Sequence, residues 1–65
     1  MRYRLHVSHL VAGQQQNRIR TIYRGSDEEA KAELKRIHDT DGTAHEGFVV
    51  REHGSEVVGE FCKYI

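Results

Sequence analysis

Residues 25–42 are GSDEEAKAELKRIHDTDG, a stretch with the start and stop signals of one helix. Ser26 is a preferred N-cap residue, and Glu29 completes a capping box with it. Acidic residues occupy the first turn, where the helix dipole favours negative charge. The polar run at 39–42 ends in glycine and stops the helix. The stretch therefore predicts a helix over 27–38.

The apolar residues of this helix recur at i, i+4 and i+7, a spacing that places them on one face. They are Ala30, Leu34 and Ile37. A helix with one apolar stripe packs that stripe against another element and leaves its other sides in solvent. The segments on either side of the helix must therefore supply the surface against which it packs.

Two segments upstream of the helix alternate between apolar and polar residues, which predicts β-strands. The first strand is predicted at about 2–11 and the second at about 18–24. The polar residues between them, at 12–17, predict a hairpin loop of about five residues.

Two further strands are predicted downstream of the helix, at about 44–53 and 56–64. The Gly-Ser pair at 54–55 suits a two-residue type II′ turn, which favours glycine first. Such a turn places Phe48 opposite Phe61 and sets apolar residues of both strands on one face.

These elements predict an α+β fold, a four-stranded antiparallel sheet (β-β-α-β-β) with one helix packed on one face. We expect a single complete domain over residues 1–65. One helix covers only one face, so the other face is expected to be open. The predicted core is Tyr3, Leu5, Val7, Ile19, Tyr23, Leu34, Ile37, Phe48, Val50, Val57 and Phe61.

Charge is unevenly distributed along the chain, although the formal total is zero. Residues 1–25 contain five arginines and no acid, whereas residues 26–65 contain ten acids and five bases, so the halves carry +5 and −5. Alternation places all five of these arginines on the open face beside apolar side chains, a mixture that is typical of protein interfaces. The predicted contact residues are Arg4, Arg18, Arg20, Ile22, Arg24 and Tyr64.

The predicted first hairpin brings arginines close together, for example Arg4 near Arg24. Like charges that face each other across a sheet destabilise it unless something compensates. Three sources of compensation are open: Glu56 and Glu60 of the second hairpin, carboxylates of a partner, or phosphates.

No residue pattern points to catalysis, to a metal or to a cofactor. Nothing places a base beside the lone Cys62, and His6 and His9 point to opposite faces of one strand. The run at 39–42 is similar to part of an EF-hand loop, but apolar residues occupy its other ligand positions. We therefore expect a protein that is not an enzyme and has no catalytic residue, metal ligand or cofactor.

The chain also lacks the signals of a secreted or membrane protein. No charged segment precedes an apolar run, and no stretch approaches the roughly 18 apolar residues of a membrane span. A single cysteine excludes an internal disulfide and is typical of a reducing compartment. These features predict a cytoplasmic protein that does not contact a membrane.

The element order, together with the helix start SDEEAK at 26–31, resembles small phage-encoded inhibitors, including some anti-CRISPR proteins. The resemblance implies a protein that blocks a larger machine by occupying its surface. It carries over no binding residue.

These observations predict a small non-enzymatic protein-binding module, an inhibitor or adaptor that acts through its open basic and apolar face. The alternative is a small RNA- or DNA-binding domain that uses the same arginines, with an affinity that falls steeply with salt. A homodimer, with two open faces packed together, is a third hypothesis.

Overall fold

Ser26 caps the helix as the sequence predicts, whereas the Glu29 carboxylate accepts from the N–H of Gly25 at 3.1 Å rather than from that of Ser26. Ser26 Oγ accepts a hydrogen bond from the backbone N–H of Glu29 at 3.3 Å, and the helix α1 runs Asp27–Thr40. It ends two residues later than predicted because the backbone N–H of Asp41 still donates to the carbonyl of Ile37, at 2.9 Å.

The computed structural model describes residues 1–63 and places α1 between two hairpins. The strands are β1 Arg2–Val11, β2 Gln14–Tyr23, β3 Ala44–Arg51 and β4 Val57–Cys62. They form one antiparallel sheet in the order β2-β1-β3-β4, so β2 and β4 are its edges. The predicted α+β fold, with one helix packed on a four-stranded sheet, is confirmed.

The first hairpin has a two-residue turn rather than the predicted loop of about five residues. Ala12 and Gly13 form the turn with φ of 52° and 79°, the left-handed values that a type I′ turn requires. β2 therefore begins at Gln14 instead of about 18. The polar run that predicted a loop extends the ladder because the side chains of a solvent-exposed strand need not be apolar.

Ala12→Asn is expected to raise the free energy of unfolding by about 0.5–1 kcal/mol, because asparagine tolerates the left-handed region better than alanine. Urea denaturation measures the change. Ala12→Val is the matched control, and it should destabilise because a β-branched side chain is strained at positive φ. A fall in stability for Ala12→Asn would contradict the turn geometry.

The second hairpin is shifted by one residue from its predicted register. Gly47 lies opposite Phe61, whereas the sequence predicted Phe48 there. The predicted two-residue turn is replaced by a longer loop, which the N–H of Arg51 closes by donating to the carbonyl of Glu56 at 2.9 Å. The shift reverses the predicted faces of β3, so that Phe48 lies outside the core, whereas Phe61 of β4 packs against the core as predicted.

The core lies between α1 and the central strands. Tyr3, Leu5 and Val49 are its largest fully buried side chains, and Ala30 and Leu34 of α1 pack against them. α1 lies chiefly over β3 and β4 and leaves the helix side of β2 largely uncovered.

Gly59 of β4 allows the helix to approach this closely. A Cβ atom at Gly59 would lie 3.2 Å from Cγ of Lys31 and 3.6 Å from Cδ2 of Leu34, so even a methyl group would require the Lys31 side chain to shift by a few tenths of an ångström.

The predicted core is correct on β1 and α1 and partly wrong elsewhere. Predicted core residues that are buried in the core are Tyr3, Leu5, Val7 and Leu34, with Ile37 and Phe61 partly buried against it. Val50 is also buried, but on the face opposite α1 and outside the core cluster. Ile19, Tyr23 and Val57 are exposed instead, and Phe48 is half-buried outside the core cluster. Ile22 and Val49, predicted on the open face, are buried in the core.

Candidate protein-binding surface

The sheet face opposite α1 is not covered by any element of residues 1–63. Two neighbouring rows of side chains cross its centre. One row contains Ile19, His6, Phe48 and Glu60, and the next contains Thr21, Arg4, Val50 and Val57. With Arg2 and Tyr23, these residues form the surface that we call the open face.

Large apolar side chains on the open face are strongly exposed. Tyr23 is 67% exposed, Ile19 62% and Val57 55%. His6 lies between Ile19 and Phe48, and its ring stacks on Phe48 with centroids 4.4 Å apart and planes 10° apart. The stack gives the face a flat, partly aromatic centre.

The two arginines of the open face differ in their partners. Arg2 Nη2 lies 2.7 Å from Glu52 Oε1 in an ion pair. Arg4 forms no ion pair with any of the described residues 1–63. Arg4 is therefore an unpaired cation beside an exposed apolar surface.

The arginines of β2 lie on the helix side of the sheet, not on the open face. The register pairs Arg18 with Val7, Arg20 with Leu5 and Ile22 with Tyr3. The predicted pairing placed Arg4 near Arg24, whereas Arg4 lies opposite Thr21, a shift of three residues. An odd shift moves every side chain of a strand to its other face, so the predicted placement of these β2 residues was wrong.

A single carboxylate compensates Arg20 and Arg24. Glu33 of α1 is 8% exposed, and its Oε1 accepts a hydrogen bond from Arg20 Nη2 at 3.1 Å. Arg24 Nη2 lies 3.1 Å from its Oε2, and Arg36 Nη2 contacts both oxygens at 2.5 Å. Burial raises the pKa of Glu33, but hydrogen bonds from Arg36 and Arg24 outweigh it, so the pKa lies below its usual value.

The position of Glu33 in the sequence indicates that its carboxylate faces the sheet. It lies at i+3 from Ala30 and immediately before Leu34, so it occupies the stripe that faces the sheet. A carboxylate at such a position needs a buried partner. Glu56 and Glu60, the protein's own acids proposed for this role, do not supply it, and Glu56 pairs instead with Arg51 at 3.0 Å.

A second charged cluster joins α1 to the sheet. The Tyr3 hydroxyl donates to Asp27 Oδ1 at 2.7 Å, Arg51 Nε donates to the same oxygen at 3.2 Å, and Arg51 Nη2 donates to Asp27 Oδ2. Hydrogen bonds from Arg51 and then Tyr3 lower the pKa of Asp27 from 3.8 to about 2. The hydrogen bond to Asp27 raises the pKa of Tyr3. This cluster fixes the helix start to β1 and β3.

A groove of about 470 Å³ runs between α1 and the uncovered helix side of β2. Leu5 and Val7 line it, together with Arg18 and Arg20 of β2 and Asp41 after the helix. Arg18 has no ion pair among residues 1–63. The groove is thus apolar at its base and has a free guanidinium group at its margin.

The predicted contact residues therefore do not form one surface. Arg4 lies on the open face as predicted, Arg18 and Arg20 line the groove, and Ile22 is buried. Arg24 binds Glu33. Tyr64 lies outside the described residues.

Comparison with protein-family models finds no match, and comparisons with curated proteins and with solved structures find none either. Within residues 1–63, the one helix is too short and too polar to cross a bilayer. In the same range, no three His, Cys, Asp or Glu side chains come together in a metal-binding arrangement. The chemistry of the exposed surfaces is therefore the basis for assigning a function.

Proposed function

We propose that the protein is a non-enzymatic binding module whose open face contacts a partner protein, which it inhibits or links to another component. One observation carries the proposal: Arg4, which has no ion pair within residues 1–63, lies among Ile19, Tyr23 and Val57, each more than half exposed. Arginine, tyrosine and aliphatic residues around a flat centre are typical of interface cores. The partner surface that fits is apolar and carries a carboxylate opposite Arg4.

The altered placement of the arginines favours a protein partner over nucleic acid. Binding to a phosphate backbone through the open face depended on several arginines on that face. Only Arg2 and Arg4 lie there, and Arg2 is paired with Glu52. Cys62 is free and exposed, and a single free thiol is typical of a reducing compartment, which supports a cytoplasmic location for the partner as well.

Charge reversal or an added carboxylate on the open face is expected to weaken partner binding about ten-fold or more, as for a central interface residue. The variants are Arg4→Glu and Tyr23→Glu. Lys35→Glu, on the exposed surface of α1, is the matched charge reversal and should bind like wild type. Immobilised wild type captures partners from the native host, mass spectrometry identifies them, and each variant is then titrated against the purified partner.

Circular dichroism of each variant confirms that the fold is retained. Equal binding of a partner by wild type, Arg4→Glu and Tyr23→Glu would contradict the proposed surface. A mobility shift with RNA or DNA at low salt, abolished by Arg4→Glu, would favour the nucleic-acid alternative. If light scattering shows a dimer and Tyr23→Glu converts it to a monomer, the partner of the open face is a second copy of this chain.

A further inference from the structure

β2 is a long sheet edge with unpaired backbone groups. Its ten residues pair with β1 without a bulge and contain no proline, whereas the β4 edge has six residues and its ladder with β3 is irregular. Edge strands normally carry such interruptions, because a regular free edge pairs with other strands.

The hairpin register shows which groups are free. Next to a two-residue turn, Val11 and Gln14 form a hydrogen-bonded pair, and such pairs alternate along the ladder. The far end agrees, since the N–H of Arg24 donates to the carbonyl of Met1 at 3.0 Å and the Met1 amino group donates to the carbonyl of Arg24 at 2.9 Å. The residues whose N–H and C=O point away from β1 are Gln15, Asn17, Ile19, Thr21 and Tyr23. The carbonyl of Tyr23 accepts a hydrogen bond from Arg24 Nη1 at 2.7 Å, so we call the first four residues the outer edge of β2.

We infer that the outer edge of β2 binds an extended acidic segment of the partner protein as a fifth strand. The inference rests on the proposed function, because it names the chemistry of one partner segment. In strand addition, main-chain hydrogen bonds supply affinity and alternate side chains supply specificity.

The side chains of β2 define those alternate positions. On the helix side, Arg18 has no ion pair among residues 1–63, and Arg20 shares Glu33 with Arg24 and Arg36. Three guanidinium groups around one carboxylate leave a net positive charge. Carboxylates of an added strand would neutralise that remaining charge. On the other side, Ile19 and Tyr23 continue the apolar open face.

The same arginines make a second copy of this chain a poor occupant. Two β2 strands that pair antiparallel about residue 18, 19 or 20 set Arg18 opposite Arg18, Arg18 opposite Arg20, or Arg20 opposite Arg20. Directly opposed like charges destabilise a strand pair. The edge therefore selects a strand in which carboxylates alternate with apolar residues.

The test uses isotope-labelled protein and a synthetic peptide of about eight residues, in which glutamate alternates with valine over the length of the edge. A peptide with the same composition but with all glutamates in one half is the control. Binding of the alternating peptide should slow amide exchange about ten-fold at Asn17, Ile19 and Thr21. Exchange at Arg18 and Arg20, whose amides already bond to β1, should change little.

Arg18→Glu is expected to weaken binding of the alternating peptide about ten-fold, whereas Lys35→Glu should leave it unchanged. Thr21→Pro removes an outward N–H without touching the β1 ladder and should also abolish tight binding. Because proline also restricts φ, a second test leaves the protein unchanged: N-methylation of alternate peptide residues should abolish binding.

Absence of binding at millimolar peptide, equal binding of the grouped-glutamate peptide, or unchanged exchange at Ile19 would each overturn the inference. Failure here is separable from failure of the proposed function. If capture of a partner depends on Arg4 and Tyr23, the proposed function stands even if the peptide does not bind. If the peptide binds but no partner depends on the open face, the inference about the β2 edge stands and the proposal about the open face is wrong.

Discussion

Glu33→Ala is expected to lower the free energy of unfolding by about 2 kcal/mol, a large share of the stability of so small a domain. Removing one partner of a fully buried ion pair costs about 3–5 kcal/mol, because the remaining charge is left without compensation. The three arginines here are between 33% and 66% exposed, so water solvates part of the charge that is left behind. The expected cost is therefore below the fully buried range but well above that of a surface pair.

Glu28→Ala is the matched control in the same helix. The Glu28 side chain is 83% exposed, and within residues 1–63 its one ion pair is with Lys31 at 3.6 Å, so its removal should change stability by less than about 0.5 kcal/mol. Urea denaturation compares the two variants. A double-mutant cycle with Arg20→Ala separates the pairwise contribution from other effects of truncation. Equal stability of the Glu33 and Glu28 variants would show that the arginine cluster does not stabilise the fold.

Glu33→Leu distinguishes charge from packing. Position 33 lies on the apolar stripe of α1, so leucine would bury more apolar surface there. Replacing a buried charge by an apolar residue of similar size is often neutral for stability. We expect Glu33→Leu to be more stable than Glu33→Ala. It should also bind the acidic peptide at least as tightly as wild type, because Arg20 loses its internal carboxylate.

Local signals explain why the helix could be predicted from the sequence. The capping box, the acidic first turn and the apolar stripe lie within one short segment, and each acts on the backbone nearby. The start at Asp27 matched, and the end differed by two residues. Period-two alternation likewise identified β1 with its core residues Tyr3 and Leu5.

Strand registers could not be predicted as well because they depend on turns and on distant contacts. Alanine is rare at positive φ, so Ala12-Gly13 gave no strong turn signal, and the polar residues after it suggested a loop. That single misplacement exchanged the two faces of β2. It placed Ile19 in the predicted core and Ile22 on the predicted open face, whereas Ile22 is buried and Ile19 is exposed.

The position of the arginines follows from a contact between distant segments. The observed register sets Arg18 beside Val7 and Arg20 beside Leu5. A prediction based on alternation alone rejects this register, because it places arginines next to core residues. Glu33, thirteen residues after Arg20, removes the conflict. Fold class could thus be predicted from local pattern, whereas the candidate surface required the pairing between helix and edge strand.

Acid is expected to destabilise the protein through Asp27 as the pH falls from about 4 to about 2. The pKa of Asp27 is lowered from its ordinary value of 3.8 to about 2 by hydrogen bonds from Arg51 and Tyr3. A carboxyl whose pKa is lower in the folded state stabilises the fold above its unfolded pKa, and this contribution is lost as pH falls through the folded pKa. Asp27→Asn removes that contribution at every pH.

Urea midpoints of wild type and Asp27→Asn, measured at a series of pH values, test this directly. Wild type should be the more stable at neutral pH, and the gap should narrow between pH values of about 4 and about 2. The lowered pKa values of Glu33, Asp39 and Asp41 add to the acid sensitivity of both proteins, so the difference between the two isolates Asp27. Glu28→Gln removes an exposed carboxylate from the same turn and controls for a change in charge near the helix start. A gap that stays constant over this range would mean that the Asp27 carboxylate does not hold the helix start to the sheet through its charge.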